Sequence, residues 1–389
     1  MLNFIYHIPT KVYFGRGELS ALPDALRAYG SRVMIVTYKS TSAAEDSIIH
    51  QVTALLDEAK LSYLLFNQVE PNPLITTVES GAALCKQNNI QILLGIGGGS
   101  AIDCAKAIAA AACYDGPPWE LILDNSKVTA ALPVGSILTI AAAGSEMDYT
   151  AVISNDKTKE KLHLFSEYIR PRFAILDPVF TYSVPYFQTA AGCADILSHA
   201  MEVYFSNTPD TYVQNRMAEA MMKTVIHYAD TALKEPDNYE ARANLMWTST
   251  LTISSMLAHG KQIQWSTHYI EHTISAFYNV PHGAGVAVIL PHWMEYVLDS
   301  DTVGNFVDFA ENVWGVSPFI PDFHKARAGI QALRYFLFHT LHLPSTLREL
   351  GVEQHMLERL AESAVGEGPI KGTKTLLKGD VLQILKSAY

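Results

Sequence analysis

Two hydrophobic rhythms divide the chain. Up to about residue 180, short apolar runs alternate with stretches whose apolar positions fall three and four apart. The runs at 31–37 (SRVMIVT), 62–66 (SYLLF), 91–96 (QILLGI) and 173–176 (FAIL) predict strands, and 43–59, 74–88 and 101–113 predict helices between them. The strands are apolar throughout rather than alternating, which is the pattern of a sheet buried on both faces. Strand–helix alternation at this spacing builds a mostly parallel sheet covered by helices. The most apolar long stretch, 128–145 (VTAALPVGSILTIAAAGS), is interrupted by Pro133, Gly135 and Ser136, so it predicts a buried strand rather than a membrane span. Beyond Pro185 the strand signal fades. Helical spacing then runs through 190–205, 211–233, 239–259, 265–277 and 321–341, punctuated by Gly260, Gly283 and Gly351. The pattern predicts an α/β domain over 1–184 and an all-helical domain over 185–389.

Composition narrows the class. Of 389 residues, 49% are hydrophobic and 17% charged, which excludes a disordered chain and suits a large folded enzyme. Formal charge is 28 − 39 = −11, so no overall basic field exists to hold a nucleic-acid backbone or an anionic membrane. The four cysteines, Cys85, Cys104, Cys113 and Cys193, form no CxxC pair and predict reduced thiols in a cytoplasmic protein. The opening MLNFIYHIPTKVYFGRG lacks the basic-then-apolar order of a signal peptide, and none is expected.

Two constellations carry chemistry. The strand at 91–96 runs into Gly97, Gly98, Gly99 and Ser100 and then into a helix. Such a turn exposes backbone N–H groups at a helix's positive end, where a phosphate can approach. Ser100 reads as the helix N-cap. The pattern is neither GxGxxG nor a Walker loop, and tight packing alone is a sufficient reason for glycines there. The second constellation is ionisable. Asp195 and His199 stand four apart on one helix face, a spacing that also suits a simple hydrogen-bonded pair. Downstream, His268, His272 and His282 fall within 15 residues. Histidines with a carboxylate suit Fe2+ or Zn2+. Lys157, Lys159 and Lys161 form a charge run that reads as a solvated face, with one lysine able to turn inward. No nucleophile elbow and no HExxH occurs.

These residues resemble a known family. VEPNP at 69–73, GGGSAIDCAK at 97–106, AGSEMDYTAVISN at 143–155, the spacing of Asp177, Pro185, Gly192, Asp195 and Glu202, and the segment 265–285 are together similar to the iron-containing (group III) alcohol dehydrogenases, in their butanol-dehydrogenase-like branch. The resemblance covers essentially the whole chain. It implies a Rossmann-like dinucleotide-binding domain followed by an all-α metal-binding domain, the dehydroquinate synthase-like architecture. It implies metal ligands Asp195, His199, His268 and His282, with His272 beside them rather than among them. An imidazole accepts or donates a proton near pH 7, so His272 reads as a proton relay or as an orienting neighbour. It implies Gly97, Gly98, Gly99 and Ser100 at the pyrophosphate, Asp103 near the nicotinamide, and Thr139, Ser145 and Lys161 along the dinucleotide. One departure is Ala143, where the family commonly has threonine.

The activity so implied is reversible hydride transfer between a nicotinamide and a small aldehyde or primary alcohol, in a homodimer. The loop after the strand at 31–37 begins with Lys39, Ser40, Thr41 and Ser42, and its first acid is Glu45. An acid immediately after that strand would repel a 2′-phosphate, so its absence favours NADP(H) over NAD(H). A polyol dehydrogenase, a dehydroquinate-synthase-like lyase on the same architecture, and a non-catalytic metal or nucleotide sensor are the alternatives.

Overall fold

The computed structural model describes residues 1–39, 41–366 and 368–389. Among the described residues eight strands form: β1 (Lys11–Phe14), β2 (Arg32–Tyr38), β3 (Ser62–Val69), β4 (Ile92–Gly97), β5 (Val134–Leu138), β6 (Thr150–Asn155), β7 (Glu160–Phe165) and β8 (Phe173–Leu176). Six make one sheet in the order β1-β8-β5-β4-β2-β3, every pair parallel. Its central strands β4, β5 and β8 are buried at every residue, whereas edge strand β3 is largely exposed. That explains why the central runs are uniformly apolar.

Helices cover both faces. On one, Ile75–Gln87 and Gly99–Ala112 pack with Met34, Val36 and Leu93; on the other, Leu22–Arg27 and Ala43–Glu58 pack with Val33, Ile35 and Leu94. Adjacent β2 residues thus serve opposite cores, as the pleat requires. From β2 the chain goes outward to β3 and then returns to β4 on the other side of β2. The C-terminal ends of β2 and β4 are therefore a topological switch point, where open α/β sheets take their ligands.

The pair β6–β7 is an antiparallel hairpin outside the main sheet. Polar residues in both strands and a charged turn between them leave no continuous apolar run to detect. The lysine series divides there: Lys157 and Lys159 are exposed in the turn, while Lys161 lies buried on β7.

The chain forms two compact units. One comprises His7–Val184 and Pro236–Thr250, the other Met1–Tyr6, Pro185–Glu235 and Leu251–Tyr389. The segment Pro236–Thr250 thus joins the sheet-bearing unit, where Met246 packs with Ile102, Leu138, Ala174 and Leu176. Ser249 Oγ donates to the Ala142 carbonyl at 2.9 Å, and Thr250 Oγ1 to Glu146 Oε1 at 2.6 Å. The second unit is mostly helical, around a core of Phe205, Trp293, Phe306 and Phe309. An isolated antiparallel bridge, Ile370–Leu376, departs from an all-helical reading. The helix starting at Tyr239 ends at Ile253, six residues before the expected 259. Ser255 adopts positive φ just beyond it, and the chain turns there. No helix among the described residues is long and apolar enough to cross a membrane.

Candidate metal centre and nucleotide turn

Three helices bring the ionisable constellation together in the helical unit. Tyr186–Tyr204 carries Asp195 and His199 one turn apart, Ser266–Tyr278 carries His268 and His272, and His282 is the first residue of His282–Val297. Pro281 occupies the N-cap position of that last helix, its carbonyl accepting from Ala284 N at 3.0 Å and from Gly285 N at 3.1 Å. One ligand atom from each of Asp195, His199, His268 and His282 lies within 4.8 Å of the others. Asp195 Oδ1 is 3.6 Å from His199 Nε2 and 3.5 Å from His282 Nε2. The His199 and His268 rings stack at 4.9 Å, and Trp265 stands edge-on to both.

These donors fit a divalent cation. Bonds of about 2.1 Å in tetrahedral geometry put donors roughly 3.4 Å apart, close to the separations seen here. Asp195 Oδ1 and His268 Nε2 are buried with no hydrogen-bond partner among the described residues, a costly arrangement unless a further group accepts their lone pairs. Burial pushes the His199 imidazole down to about 4 despite Asp195 beside it, so its ring is neutral at pH 7 and offers a lone pair rather than a charge.

Two buried glutamates complete the surroundings. Glu202 shares a helix face with Asp195 and His199. Its carboxylate accepts from Ser266 N at 3.1 Å, from Thr267 N at 2.6 Å and from Thr267 Oγ1 at 2.5 Å, and His268 Nδ1 lies 3.4 Å from Oε1. It thereby caps a helix whose own preceding residue, Trp265, provides no side-chain cap. Burial alone would raise its carboxyl, but the bonds from His268 and Thr267 win and hold it low. Glu271 bonds His282 Nδ1 through Oε2 and Ser275 Oγ through Oε1. His272 is buried too, its ring centre 5.4 Å from that of His282 and 6.4 Å from that of His268.

In the other unit, the glycine turn follows β4 at the switch point. Gly97 has φ of +146°, and Gly98, not Ser100, is the N-cap of Gly99–Ala112. Ser100 sits two residues into the helix, and its Oγ accepts from Asn72 N at 3.4 Å. The glycines are sterically required: a Cβ on Gly97 would lie 2.8 Å from Ala101 Cβ, and one on Gly98 would lie 2.5 Å from Ile140 Cγ2. A Cβ on Gly99 would lie 3.1 Å from Ala143 Cβ, so the position of the missing threonine borders the turn directly. Thr139 is buried, its N–H donating to the Gly97 carbonyl at 3.0 Å.

Asp103 and Ser145, both expected along the dinucleotide, bond to each other at 2.5 Å; Asp103 also accepts from Val152 N at 2.9 Å. Lys106, fully buried, ion-pairs with Asp148 and donates to the Thr150 carbonyl at 2.8 Å. Lys39 is exposed past β2. Glu45 is engaged in a capping box with Ser42, accepting from its N at 2.8 Å. Ser40 lies outside the described residues. The contacts of Glu202 with His268 and of Glu271 with His282 escaped sequence reasoning. The signal available was Glu202 at i+7 from Asp195, on the face already carrying His199.

A family model for iron-containing alcohol dehydrogenases matches residues 9–178, and one for the C-terminal part of Fe-containing alcohol dehydrogenases matches 189–389. The chain belongs to the iron-containing alcohol dehydrogenase family and is an oxidoreductase acting on CH–OH groups. It is 47% identical over 390 residues to NADH-dependent butanol dehydrogenase B of Clostridium acetobutylicum, covering 100% of both chains. It is 34% identical to the NADPH-dependent aldehyde reductase YqhD of Escherichia coli, over 95% of this chain and 94% of that one. Among solved structures, NADH-dependent butanol dehydrogenase A from Thermotoga maritima superposes with a TM-score of 0.94 at 32% identity, covering 100% of this chain and 99% of that one. The family uses NAD(P) and a divalent metal.

Proposed function

We propose that this protein catalyses reversible hydride transfer between NAD(P)(H) and a small aldehyde or primary alcohol, with Fe2+ or Zn2+ held by Asp195, His199, His268 and His282. The observation that carries the proposal is the convergence of those four donors, three of them buried and His282 partly so, with Asp195 Oδ1 and His268 Nε2 lacking a hydrogen-bond partner among the described residues. A bound divalent cation supplies Lewis acidity toward a carbonyl or alkoxide oxygen. Asp195 contributes one negative charge, and the three imidazoles contribute neutral lone pairs. Burial of Asp195, His199 and His268 limits the competing water around them, and His282 is the partly exposed member. His272 exchanges a proton with the alcohol oxygen through an imidazole nitrogen, directly or by way of water or the ribose hydroxyl.

At the dinucleotide, the backbone N–H groups around Gly97, Gly98, Gly99 and Ser100 bind the pyrophosphate, with Thr139, Ser145 and Lys161 along it and Asp103 near the nicotinamide. On cofactor preference two readings have support. NADP(H) is favoured by exposed Lys39, with Ser40 next to it in sequence, and by Glu45, whose carboxylate is engaged in its helix cap. NAD(H) is favoured by the names of relatives at 47% and 46% identity. The resemblance further supports a cytoplasmic homodimer, and light scattering that gives the mass of a single chain would count against the dimer.

The test is initial-rate loss of NADPH or NADH absorbance with butyraldehyde, using metal-stripped protein before and after Fe2+ or Zn2+ is restored. Metal-dependent oxidation is the expected outcome, and the ratio of kcat/KM for the two dinucleotides ranks them. A lyase would turn over without net oxidation, and a sensor would bind dinucleotide without turnover on any carbonyl.

A further inference from the structure

We infer that Glu202 and Glu271 are positioning residues for the metal group: each takes the Nδ1 side of one histidine and leaves that ring's Nε2 to the metal. This rests on the metal reading above. The geometry is the same twice over. Glu202 Oε1 faces His268 Nδ1, while His268 Nε2 is buried without a hydrogen-bond partner among the described residues. Glu271 Oε2 bonds His282 Nδ1, while His282 Nε2 points at Asp195 Oδ1, 3.5 Å away. A neutral imidazole carries a single N–H. Donating it to a carboxylate from Nδ1 fixes the tautomer, fixes the ring plane and makes Nε2 the more basic nitrogen.

Both carboxylates are themselves held. Glu202 is anchored by two backbone N–H groups and a threonine hydroxyl, Glu271 by Ser275. Space for Glu271 comes from the facing helix: a Cβ on Gly285 would lie 2.8 Å from both Cγ and Oε1 of Glu271. Burying a carboxylate this completely is unfavourable unless charge nearby compensates it, and a cation one imidazole away does so. Glu271, His272 and His282 also come within 4.8 Å of one another, which raises the alternative of a second metal. The direct bond from His282 Nδ1 to Glu271 instead marks an orienting contact.

The experiment is Co2+ titration of the metal-free wild type, Glu271→Gln and Glu202→Gln, in competition with a chelator of known affinity. Visible Co2+ absorption and thermal unfolding of each metal-free form are recorded alongside. Binding of one equivalent, weakened about 10- to 100-fold in each variant with an altered Co2+ spectrum, is expected, while the metal-free Glu271→Gln unfolds near the wild-type temperature. Where a glutamine variant fails to fold, Ser275→Ala retains the carboxylate but loosens it, and several-fold weaker binding is expected. Affinity within about twofold of wild type in the folded variants, with an unchanged spectrum, overturns the inference. Two equivalents in wild type falling to one in Glu271→Gln overturns it as well, because Glu271 would then be a ligand. A wild type that binds no Co2+ at all removes the metal reading first, and this inference with it.

Discussion

At the scale of single residues, buried charge separates the roles. Replacing Asp195 or His268 with alanine removes one of the four converging donors, and metal content per chain is expected to fall to near zero. One retained equivalent would exclude that residue as a ligand. Replacing His272 leaves all four donors in place, so His272→Ala is expected to retain metal and dinucleotide while kcat drops about 10²- to 10⁴-fold. Undiminished turnover would reduce His272 to an orienting neighbour. In the sheet-bearing unit, three acids surround one buried lysine, Lys106, and the excess charge has consequences. Burial pushes Glu146 up to about 7 and Asp103 up to about 6. A carboxyl raised in the folded state binds its proton more tightly there than in the unfolded chain. Its stabilising contribution is therefore complete below the unfolded value near 4.5 and is lost as pH rises through about 7. Glu146→Gln removes that ionisation. Its Tm relative to wild type is expected to rise by about 3–6 °C between about pH 5 and pH 8. A constant difference across that range would show that Glu146 does not titrate in it.

At the scale of elements, the crossing of two helices sets the metal group's geometry. Gly283, one residue past His282, lies against the backbone of Tyr186–Tyr204: a Cβ there would sit 2.0 Å from the Ala191 carbonyl oxygen. Backbone cannot yield as a side chain can, so Gly283→Ala must push the helices apart. A loss of about 3 kcal/mol in denaturant unfolding is expected, together with weaker metal binding as His282 moves away from Asp195. Unaltered stability would mean that the helices approach less closely than this.

What the sequence disclosed also divides by element. Strands β2, β4 and β8 are central and apolar on both faces, so they stood out as runs. Strands β6 and β7 flank a charged turn and lie outside the main sheet, and Ser154, Asn155, Glu160, Lys161 and His163 break up any continuous apolar run there. The Asp195–His199 pair was legible from the helical period, and the triad of histidines from density. Which histidines bear on a metal depends on how three helices meet, and that information lies in Gly283 and Gly285 rather than in the histidines. Ser100 is the first polar side chain after the glycines and so resembles a cap in the sequence, whereas the backbone turns two residues earlier, where only glycines fit.

At the scale of the whole molecule, the net charge of −11 gives copies of the chain a mutual repulsion. Each compact unit is assembled from separated stretches of chain. A truncated chain of residues 1–184 lacks Met246 from its core and the Thr250 hydroxyl against Glu146. It is expected to show reduced near-UV circular dichroism and weaker dinucleotide binding, and a chain extended to residue 250 to recover both at least in part. Equal behaviour of the two would show that the late segment contributes little to the unit it joins.

That same late segment has a bearing on how the protein is made. On the ribosome, a sheet-bearing unit that ended at residue 184 could close as soon as its last strand emerged. Here closure waits for a further 250 − 184 = 66 residues. At about 5–20 residues per second that is a delay of roughly 3–13 s, long on the scale of hydrophobic collapse. Throughout it, the apolar patch destined for Met246 remains uncovered on a nascent chain whose helical part is still being translated. Chaperone demand and sensitivity to translation speed should therefore concentrate in codons 185–250, a region remote in sequence from the strands that it protects.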